Sequence, residues 1–470
     1  MKYVLSVLFS IFIGISLQSQ VPDYVTNKFA YQVIQNVEYG KSVAYNGTET
    51  TLLLDIYKPI NDKNCHRPLM VLVHGGAWIG GTKEDPNMVN MAKELAAKGW
   101  VVASINYRLG VHTTSFYTPY VLCPANNPAL CARVCDTTEV FRAIYRGLQD
   151  TRGAIRFMKE RNEIDSIDVK NTFVGGESAG AFISLYTAFL DKESEKPLSC
   201  LAIADAPVSD PYLNYCHGLV TALQRPDLGS IHGDLHVGLY DDSVQGVADI
   251  YGGLSDMSIM NDNIMPLYIF HQASDLLVNY KRGRLLGRLS DCLNNICEPI
   301  YNMPLMYGGS ELAKYYKGLG VPDADYKAEI LENSTVLDCT VNPPGHSIDN
   351  LKLRTQHIVD FFVKTIQKNG NDPNEPCTNA VVENKSKNIL RTFPNPGTKD
   401  FSIFAPSIAN QVNKISLIDM MGNKLELQFQ ALSNGIITVN IIQYLSPGYY
   451  ICEIISNDYI YTTPWICSGN

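Results

Sequence analysis

One short segment of the chain combines a serine with small neighbours in a spacing that suits nucleophilic chemistry. Residues 176–180 read Gly-Glu-Ser-Ala-Gly, with an apolar run at residues 172–174 before them and an apolar helical pattern at residues 179–190 after them. A serine on a sharp strand-to-helix turn exposes its hydroxyl, and small residues two positions away on each side relieve the crowding of that turn. A helix N-terminus also directs backbone N–H groups towards a developing anion. The segment therefore predicts that Ser178 is a nucleophile.

A second segment, far upstream, offers backbone N–H groups for the same reaction. Residues 74–78 read His-Gly-Gly-Ala-Trp and follow an almost wholly apolar run at residues 69–73. Small residues let the backbone approach a substrate oxygen closely, and a loop of this kind supplies part of the oxyanion hole beside a nucleophile elbow. We expect N–H groups of this loop to form that hole together with the N–H of Ala179.

A serine hydroxyl is a weak nucleophile until a base takes its proton and a carboxylate orients the base. In the strand–turn–helix setting of Ser178 the chain order is serine, then an acid, then histidine. Asp275 lies just after an apolar run at residues 267–270 and is the acid that we predict. Asp205, Asp256 and Asp262 are the rivals.

Two of the nine histidines follow Asp275 along the chain. His346 stands in a Pro- and Gly-containing loop before the last predicted helix of this part, and we predict that it is the base. His357 lies inside that helix, where packing or solvent exposure is expected. His271, on the strand before Asp275, and His74, beside the oxyanion loop, are expected to be structural.

The elements around these residues predict an α/β fold with a mostly parallel sheet and helices on both faces. Two β-rich runs, residues 31–39 and 51–57, come first. Short apolar runs, typical of strands buried on both faces, then alternate with helical patterns. The predicted strands are 69–73, 100–105, 169–174, 201–204 and 267–270, and the predicted helices are 88–98, 138–161, 179–190 and 348–366.

The composition along the chain predicts four regions. Residues 1–20 have a basic start, a short apolar run and a polar exit, which is typical of a signal peptide rather than a membrane span. Residues 21–367 carry the α/β catalytic domain, and the polar residues 368–388 read as a linker. Residues 389–470 alternate short β-rich runs with turns, which predicts a small β-sandwich.

Two long stretches interrupt the strand–helix alternation, residues 112–136 and 208–265. Insertions of this length form lids or binding walls in some enzymes, and surface decoration is the equally weighted alternative. Trp78 is a candidate for substrate binding, although scattered aromatic residues more often belong to the core.

Net charge and cysteine content limit the ligands and the cellular compartment that are expected for this protein. The formal net charge is −9 and no long basic run occurs, so a nucleic-acid-binding surface is not expected. Twelve cysteines suit an oxidising compartment. Local disulfides are suggested among Cys123, Cys131 and Cys135, between Cys292 and Cys297, and between Cys452 and Cys467.

Metal binding is not expected in this chain. Cys131 and Cys135 have no second Cys/His pair nearby, and His232 and His236 flank a glycine in a segment that reads as a loop rather than a helix. No metal or organic cofactor is predicted.

The two segments around residues 74–78 and 175–181, together with Leu-Leu-Asp-Ile-Tyr-Lys-Pro at residues 53–59, resemble the carboxylesterase branch of the α/β-hydrolases, including hormone-sensitive-lipase-like and feruloyl esterases. The resemblance covers most of residues 25–367. It implies a Ser178, Asp275 and His346 triad, with the N–H groups of Gly76, Ala77 and Ala179 as oxyanion donors. Ala77 stands where lipase-like members have a third glycine.

The C-terminal part is similar to the type IX secretion sorting domain of Bacteroidetes. The similarity lies in Phe-Pro-Asn-Pro-Gly at residues 393–397, the strand at residues 415–419 with Met-Gly after it, and Leu-Ser-Pro-Gly-Tyr-Tyr at residues 445–450. It implies export to the outer surface or the medium, with the type IX machinery as partner. The last residues, 465–470, depart from the basic, β-branched ending of the family.

The sequence thus predicts a secreted serine carboxylic-ester hydrolase that forms an acyl-enzyme on a small or polymer-linked ester. A serine exopeptidase on the same fold and a binding protein without catalysis are the alternatives. Neither nucleic acid nor a stable membrane span is expected.

Overall fold

The computed structural model describes residues 24–112, 137–203, 225–288, 303–332 and 345–369, and most of residues 390–468. The predicted signal peptide lies outside these residues, and so do nearly all of the insertion at residues 112–136 and of the linker at residues 368–388. The chain forms two compact units, Met1–Cys377 and Thr378–Asn470. The predicted domain limits at residues 367 and 388 stay a prediction.

The first unit is built on an eight-stranded sheet in the order β1-β2-β4-β3-β5-β6-β8-β11. Its strands are β1 (Tyr31–Val43), β2 (Glu49–Pro59), β3 (Arg67–Val73), β4 (Val101–Ile105), β5 (Ile167–Glu177), β6 (Val247–Ile250), β8 (Leu267–Gln272) and β11 (Tyr326–Leu331). β2 pairs antiparallel with β1 and β4, and every other neighbouring pair is parallel. This is the predicted α/β-hydrolase fold.

The central strands are apolar because both faces of the sheet are covered. Along β3, Leu69, Val71 and Val73 belong to one core cluster, whereas Met70 and Leu72 belong to the other. The helices are α1 (Pro86–Ala97), α2 (Thr137–Glu160), α3 (Asn162–Asp165), α4 (Ala179–Phe189), α5 (Gly309–Gly318) and α6 (Leu351–Asn369). α2, α4 and α5 pack on the first face of the sheet, and α1 and α6 pack on the second.

The predicted fourth strand at residues 201–204 was wrong. The described part of that run forms only an isolated bridge between Ile203 and Arg225. On the side of β5 away from β3, the neighbouring strand is β6, which lies inside the stretch that the sequence indicated as an insertion at residues 208–265. Among the other elements that were not predicted are α5 and the edge strand β11.

Residues 225–246 lead into β6 and are held by cationic and amide side chains of α2. Arg156 donates to the carbonyl oxygens of His232 and Leu235 over 2.7 and 2.8 Å, and Arg152 donates to that of Ile231 over 3.0 Å. These hydrogen bonds hold the backbone of residues 231–235 against α2. We interpret this part of the predicted insertion as structural support for the sheet.

A small second sheet in the first unit joins β7 (Gly253–Leu254), β9 (Arg282–Arg284) and β10 (Leu305–Gly308) in the order β7-β10-β9. β10 leads directly into α5. The three strands therefore tie the segments after β6 and β8 to the N-terminus of that helix.

The second unit is a seven-stranded antiparallel sheet in the order β12-β13-β16-β15-β14-β17-β18. Its strands are β12 (Arg391–Phe393), β13 (Asp400–Phe404), β14 (Val412–Ile418), β15 (Lys424–Ala431), β16 (Ile436–Asn440), β17 (Gly448–Ser456) and β18 (Tyr459–Cys467). Phe401 of β13 stacks on Trp465 of β18 with ring centroids 4.7 Å apart. Because these strands are far apart in the sheet order, the sheet folds over on itself, as the predicted β-sandwich requires.

The predicted disulfide between Cys452 and Cys467 was wrong. Both side chains are buried, and no disulfide joins them. Cys452 lies opposite Thr463 across the strand pair, whereas Cys467 lies opposite Gly448, so the register separates the two sulfurs. The other suggested pairs fall outside the described residues. None of the described helices has the length and hydropathy of a membrane span.

Candidate active site

Ser178 stands at the turn between β5 and α4 in a strained backbone conformation. Its φ is 51° and its ψ −124°, and its N–H donates to the carbonyl oxygen of Ile250 over 2.9 Å. A Cβ at Gly180 would overlap the carbonyl oxygens of Val73 and His74, and a Cβ at Gly176 would overlap that of Val73. Only glycine fits at these two positions, which is the arrangement that the sequence pattern predicted around the serine.

Ser178, His346 and Asp275 form one hydrogen-bonded series. The Ser178 hydroxyl lies 2.8 Å from His346 Nε2, and His346 Nδ1 lies 2.8 Å from Asp275 Oδ2. They come from three different places in the fold: the β5–α4 turn, the loop after β8 and the loop before α6. The structure thus brings the three predicted residues together, while their catalytic roles stay a prediction at this point.

Asp275 is an ionised carboxylate in a dry environment. Its side chain has no solvent exposure, and burial alone would raise its pKa. The charge of His346 and hydrogen bonds from His271 and His346 outweigh burial and lower the pKa of Asp275 to about 2. Its Oδ1 accepts the N–H groups of Leu277 and Val278 over 2.8 and 2.9 Å. The carboxylate is therefore fixed in orientation and charged throughout the neutral range.

The loop after β3 passes directly beside the serine. A Cβ added at Gly75 would lie 3.3 Å from the Cβ of Ser178. Gly76 and Ala77 have φ values of 112° and 52° and are exposed. No hydrogen bond among the described residues uses the N–H of Gly76, Ala77 or Ala179. These three groups are therefore free to donate to a ligand, although their role in an oxyanion hole stays a prediction.

His74 and Trp78, at the two ends of that loop, point into the protein. The His74 ring is buried, stacks on Tyr107 at 4.5 Å and donates from Nδ1 to the Gly75 carbonyl oxygen over 2.6 Å. Burial lowers the pKa of His74, so the ring is neutral and braces the loop. Trp78 packs edge-on against Phe182 in the core. Its suggested part in substrate binding stays a prediction.

The rival residues lie elsewhere. Asp262 forms a surface ion pair with Lys192, and Asp256 accepts hydrogen bonds from Ser258. His357 pairs with Glu329 on β11. Asp205 lies outside the described residues.

Three residues beside the triad were not singled out from the sequence. Glu177 precedes the serine, and its Oε2 accepts hydrogen bonds from Asn87 and Tyr251 over 2.9 and 2.7 Å. The Tyr251 ring packs against the His346 ring with centroids 4.5 Å apart. Glu177 stood inside the serine motif and could have been noticed, whereas Tyr251 follows β6, the strand that sequence reasoning missed.

No group of three or more potential metal ligands occurs among the residues that the structure describes. His232 is paired with Asp242, and His236 with Glu160, so the two histidines of the suggested metal motif have separate partners.

Two family models match the chain. Residues 54–117, which include β3 and the loop at residues 74–78, match the model described as BD-FAE. Residues 391–468, which span all seven strands of the second unit, match the model described as secretion system C-terminal sorting domain. The second match indicates secretion, to the medium or the outer cell surface.

Among curated proteins, Esterase LipC of Mycobacterium tuberculosis is 33% identical over 66 residues, which are 14% of this chain and 16% of that protein. Para-nitrobenzyl esterase of Bacillus subtilis is 30% identical over 138 residues, 28% of this chain and 23% of that protein. The similarity thus spans less than a quarter of the length of either relative.

Among solved structures, a truncated carbohydrate esterase from gut microbiota aligns with 73% of this chain and 98% of its own, at 15% identity and a TM-score of 0.38. An apo esterase 2 of Thermogutta terrifontis aligns with 71% and 94%, at 13% identity and a TM-score of 0.36. The strand order, the strained serine turn and the two family matches agree with one another. Residues 54–117 thus match BD-FAE within a unit of α/β-hydrolase fold, and residues 391–468 match the secretion system C-terminal sorting domain.

Proposed function

We propose that this protein is a secreted carboxylic-ester hydrolase in which Ser178, His346 and Asp275 act as nucleophile, base and orienting acid. The observation that carries the proposal is the series of two 2.8 Å hydrogen bonds from Ser178 through His346 to Asp275. The names of the two curated relatives, both esterases, support an ester rather than another acyl substrate. The sorting domain supports an ester that is met outside the cell, with the type IX machinery as export partner.

In the proposed first step, His346 Nε2 takes the hydroxyl proton of Ser178 while Oγ attacks the ester carbonyl carbon. The N–H groups of Gly76, Ala77 and Ala179 donate to the oxyanion, and each such donor is worth about 10²–10³ in rate. When the tetrahedral intermediate collapses, the bond to the alcohol oxygen breaks and His346 returns the proton to that oxygen. An acyl-enzyme on Ser178 remains.

In the second step, His346 takes a proton from water, whose oxygen attacks the acyl carbon. The bond to Ser178 Oγ then breaks, and the proton passes to Oγ as the carboxylic acid leaves. Asp275 keeps the imidazole in the tautomer with Nδ1 protonated and stabilises the transient imidazolium. Neither step requires a group from outside the chain apart from water.

The test is turnover of a short-chain p-nitrophenyl ester by the full-length protein, compared with an aminoacyl p-nitroanilide. We expect ester hydrolysis that falls by about 10³-fold or more in Ser178→Ala. Ser184→Ala is the matched control, because Ser184 lies on α4 and bonds only the Gly180 carbonyl oxygen, so its removal should leave turnover unchanged. Full activity in Ser178→Ala would refute the triad, and faster amide cleavage would indicate an exopeptidase.

A further inference from the structure

His271 is a buried imidazole four residues before Asp275, and both of its ring nitrogens are engaged. Its side chain has no solvent exposure. The Gly309 N–H, at the start of α5, donates to His271 Nδ1 over 3.3 Å. A ring nitrogen that accepts a hydrogen bond carries no proton, so the proton of the neutral ring is on Nε2.

The protonated Nε2 of His271 faces two acceptors at once. It lies 3.0 Å from the Val278 carbonyl oxygen and 3.3 Å from Asp275 Oδ2. The first contact closes the turn at residues 275–278. The second reaches the same carboxylate oxygen that accepts from His346 Nδ1 over 2.8 Å.

The hydrogen-bond donors around the Asp275 carboxylate show what His271 contributes to this group. Oδ1 accepts two backbone N–H groups, Oδ2 accepts from His346, and His271 Nε2 approaches Oδ2 to 3.3 Å. A carboxylate has about four acceptor sites, so these four groups match its capacity. Without His271, one acceptor site of a carboxylate with no solvent access would lack a donor, which is costly for a buried charge.

We propose that His271 is a positioning residue that shares Asp275 Oδ2 with His346, and thereby sets how strongly Asp275 holds and stabilises the His346 ring. The proposal rests on the proposed function, in which His346 is the base. A donor on Oδ2 withdraws negative charge from the atom that binds His346 Nδ1–H. It also prevents the carboxylate from rotating away from the imidazole.

Other titratable groups face the same site and belong in the interpretation. Asp249 on the neighbouring strand β6 is buried, and His271 lowers the pKa of Asp249 against the larger effect of burial. Tyr251 and Glu177 lie against the His346 side of the site. Variants of His271 leave Tyr251 and Glu177 in place but alter the surroundings of Asp249, so they are also made on an Asp249→Asn background, where a change in the pH profile reports on the His271–Asp275 contact.

The experiment compares His271→Leu, which has no donor, with His271→Gln, whose amide N–H replaces Nε2–H. We expect His271→Leu to lower kcat for the ester about tenfold with little change in KM. The acid limb of the kcat profile should move to higher pH, because an Asp275 with more charge on Oδ2 stabilises the His346 imidazolium. The far-downfield proton resonance of His346 Nδ1–H should shift. His271→Gln should bring the acid limb and this resonance most of the way back to their wild-type positions.

His357→Leu is the matched control, since it removes another imidazole–carboxylate pair, with Glu329, that does not contact the triad. It should leave the profile and the resonance unchanged. If His271→Leu does not fold, His271→Met takes its place, because the unbranched methionine side chain adapts better to the space of the imidazole.

An unchanged acid limb and resonance in a folded donor-free variant would overturn the proposal, even if kcat fell uniformly at every pH. If the wild-type protein shows no ester hydrolysis, the proposed function fails. The resonance then still decides whether His271 governs the Asp275–His346 hydrogen bond.

Discussion

Ser178 occupies a backbone conformation that few non-glycine residues adopt. A φ of 51° with a ψ of −124° costs about 1–3 kcal/mol, which the surrounding structure has to offset. The Ile250 carbonyl oxygen holds the Ser178 N–H, and two glycines allow the backbone of β3 to pass against the turn. The hydroxyl therefore depends on close backbone packing as well as on its hydrogen bond to His346.

Gly180→Ala should distort this turn, because its Cβ would overlap the carbonyl oxygens of Val73 and His74. We expect loss of ester hydrolysis and a free energy of unfolding lower by about 2 kcal/mol, typical of overpacking. Turnover and denaturant unfolding measure the two effects. Gly318→Ala is the control: nothing lies within 4 Å of its added Cβ, so it should fold and react normally. Normal turnover in Gly180→Ala would contradict the described turn.

The buried carboxyl group of Asp249 should make the stability of the folded protein depend on pH. The carboxyl group is buried, Oδ1 accepts the Gly252 N–H over 2.7 Å, and Oδ2 has no hydrogen-bond partner among the described residues. Burial raises the pKa of Asp249 to about 6, against the opposing effects of His271 and the Gly252 hydrogen bond. The folded state therefore binds the proton more tightly than the unfolded state does.

Because this pKa is raised, the stability that the protonated group contributes is present below about pH 4 and is lost as pH rises towards 6. Asp249→Asn cannot ionise and should escape this loss. Its free energy of unfolding should exceed that of the wild type by about 3 kcal/mol at pH 8, and the difference should vanish near pH 4. Denaturant unfolding at several pH values measures it. A difference that does not vary with pH would show that Asp249 titrates normally.

At the scale of elements, the inner strands that the sequence predicted correctly are those with continuous apolar runs. β3, β5 and β8 are such strands, and their runs are continuous because helices cover both sides of the sheet. β6 is equally central but has only four residues, Val-Ala-Asp-Ile, and one of them is the buried Asp249. β11 is an edge strand with half-buried side chains, so its pattern resembles a loop.

The contacts of α2 explain why the sequence did not distinguish a lid from structural support in residues 208–265. Its buried cations donate to backbone carbonyl oxygens. Every residue type has such an oxygen, so the sequence of the accepting segment does not reveal the contact. Arg142 bonds to the Ser199 and Leu201 carbonyl oxygens, each over 3.0 Å, and Gln149 donates to those of Leu228 and Ser230. The charged residues of α2 look like a solvated helix face in the sequence but are buried in the fold.

Arg152→Met should weaken this connection while keeping most of the side-chain volume. The guanidinium is buried and donates to the carbonyl oxygens of Thr187 and Ile231, each over 3.0 Å. Losing a buried, bonded cation costs about 3 kcal/mol, which denaturant unfolding would detect. Lys192→Met is the matched control, since its ion pair with Asp262 is exposed, and no measurable change is expected. Equal stability of the two variants would contradict a clamping role for α2.

Ser178, Asp275 and His346 could be predicted from the sequence because the fold fixes where they lie along the chain. Ser178 stands between a strand and a helix, Asp275 follows a strand, and only two histidines come after Asp275. His271 as a partner of Asp275 was not accessible, because the contact depends on how the turn at residues 275–278 folds back on β8. Tyr251 likewise required the position of β6.

At the scale of the whole molecule, the chain consists of two compact units with different architectures. The first holds the serine, the histidine and the aspartate, and the second is the sorting domain whose match indicates secretion. Of the three landmarks that suggested a sorting domain, the first begins at the end of β12, the second lies in the later part of β14, and the third leads into β17. Its outer strands, β12 and β18, were not predicted, since β12 has only three residues and the chain end departs from the family pattern.

The measurement that tests the account most directly is labelling of the full-length protein with a fluorophosphonate, with the modified residue mapped by mass spectrometry. Only a serine activated by a base reacts quickly with such a probe. We predict one label per chain on the peptide that contains Ser178, no label in Ser178→Ala, and labelling of His346→Gln slower by about 10²-fold or more. Absence of labelling in the folded wild type, or a label that persists in Ser178→Ala, would contradict the assignment of Ser178 as the nucleophile.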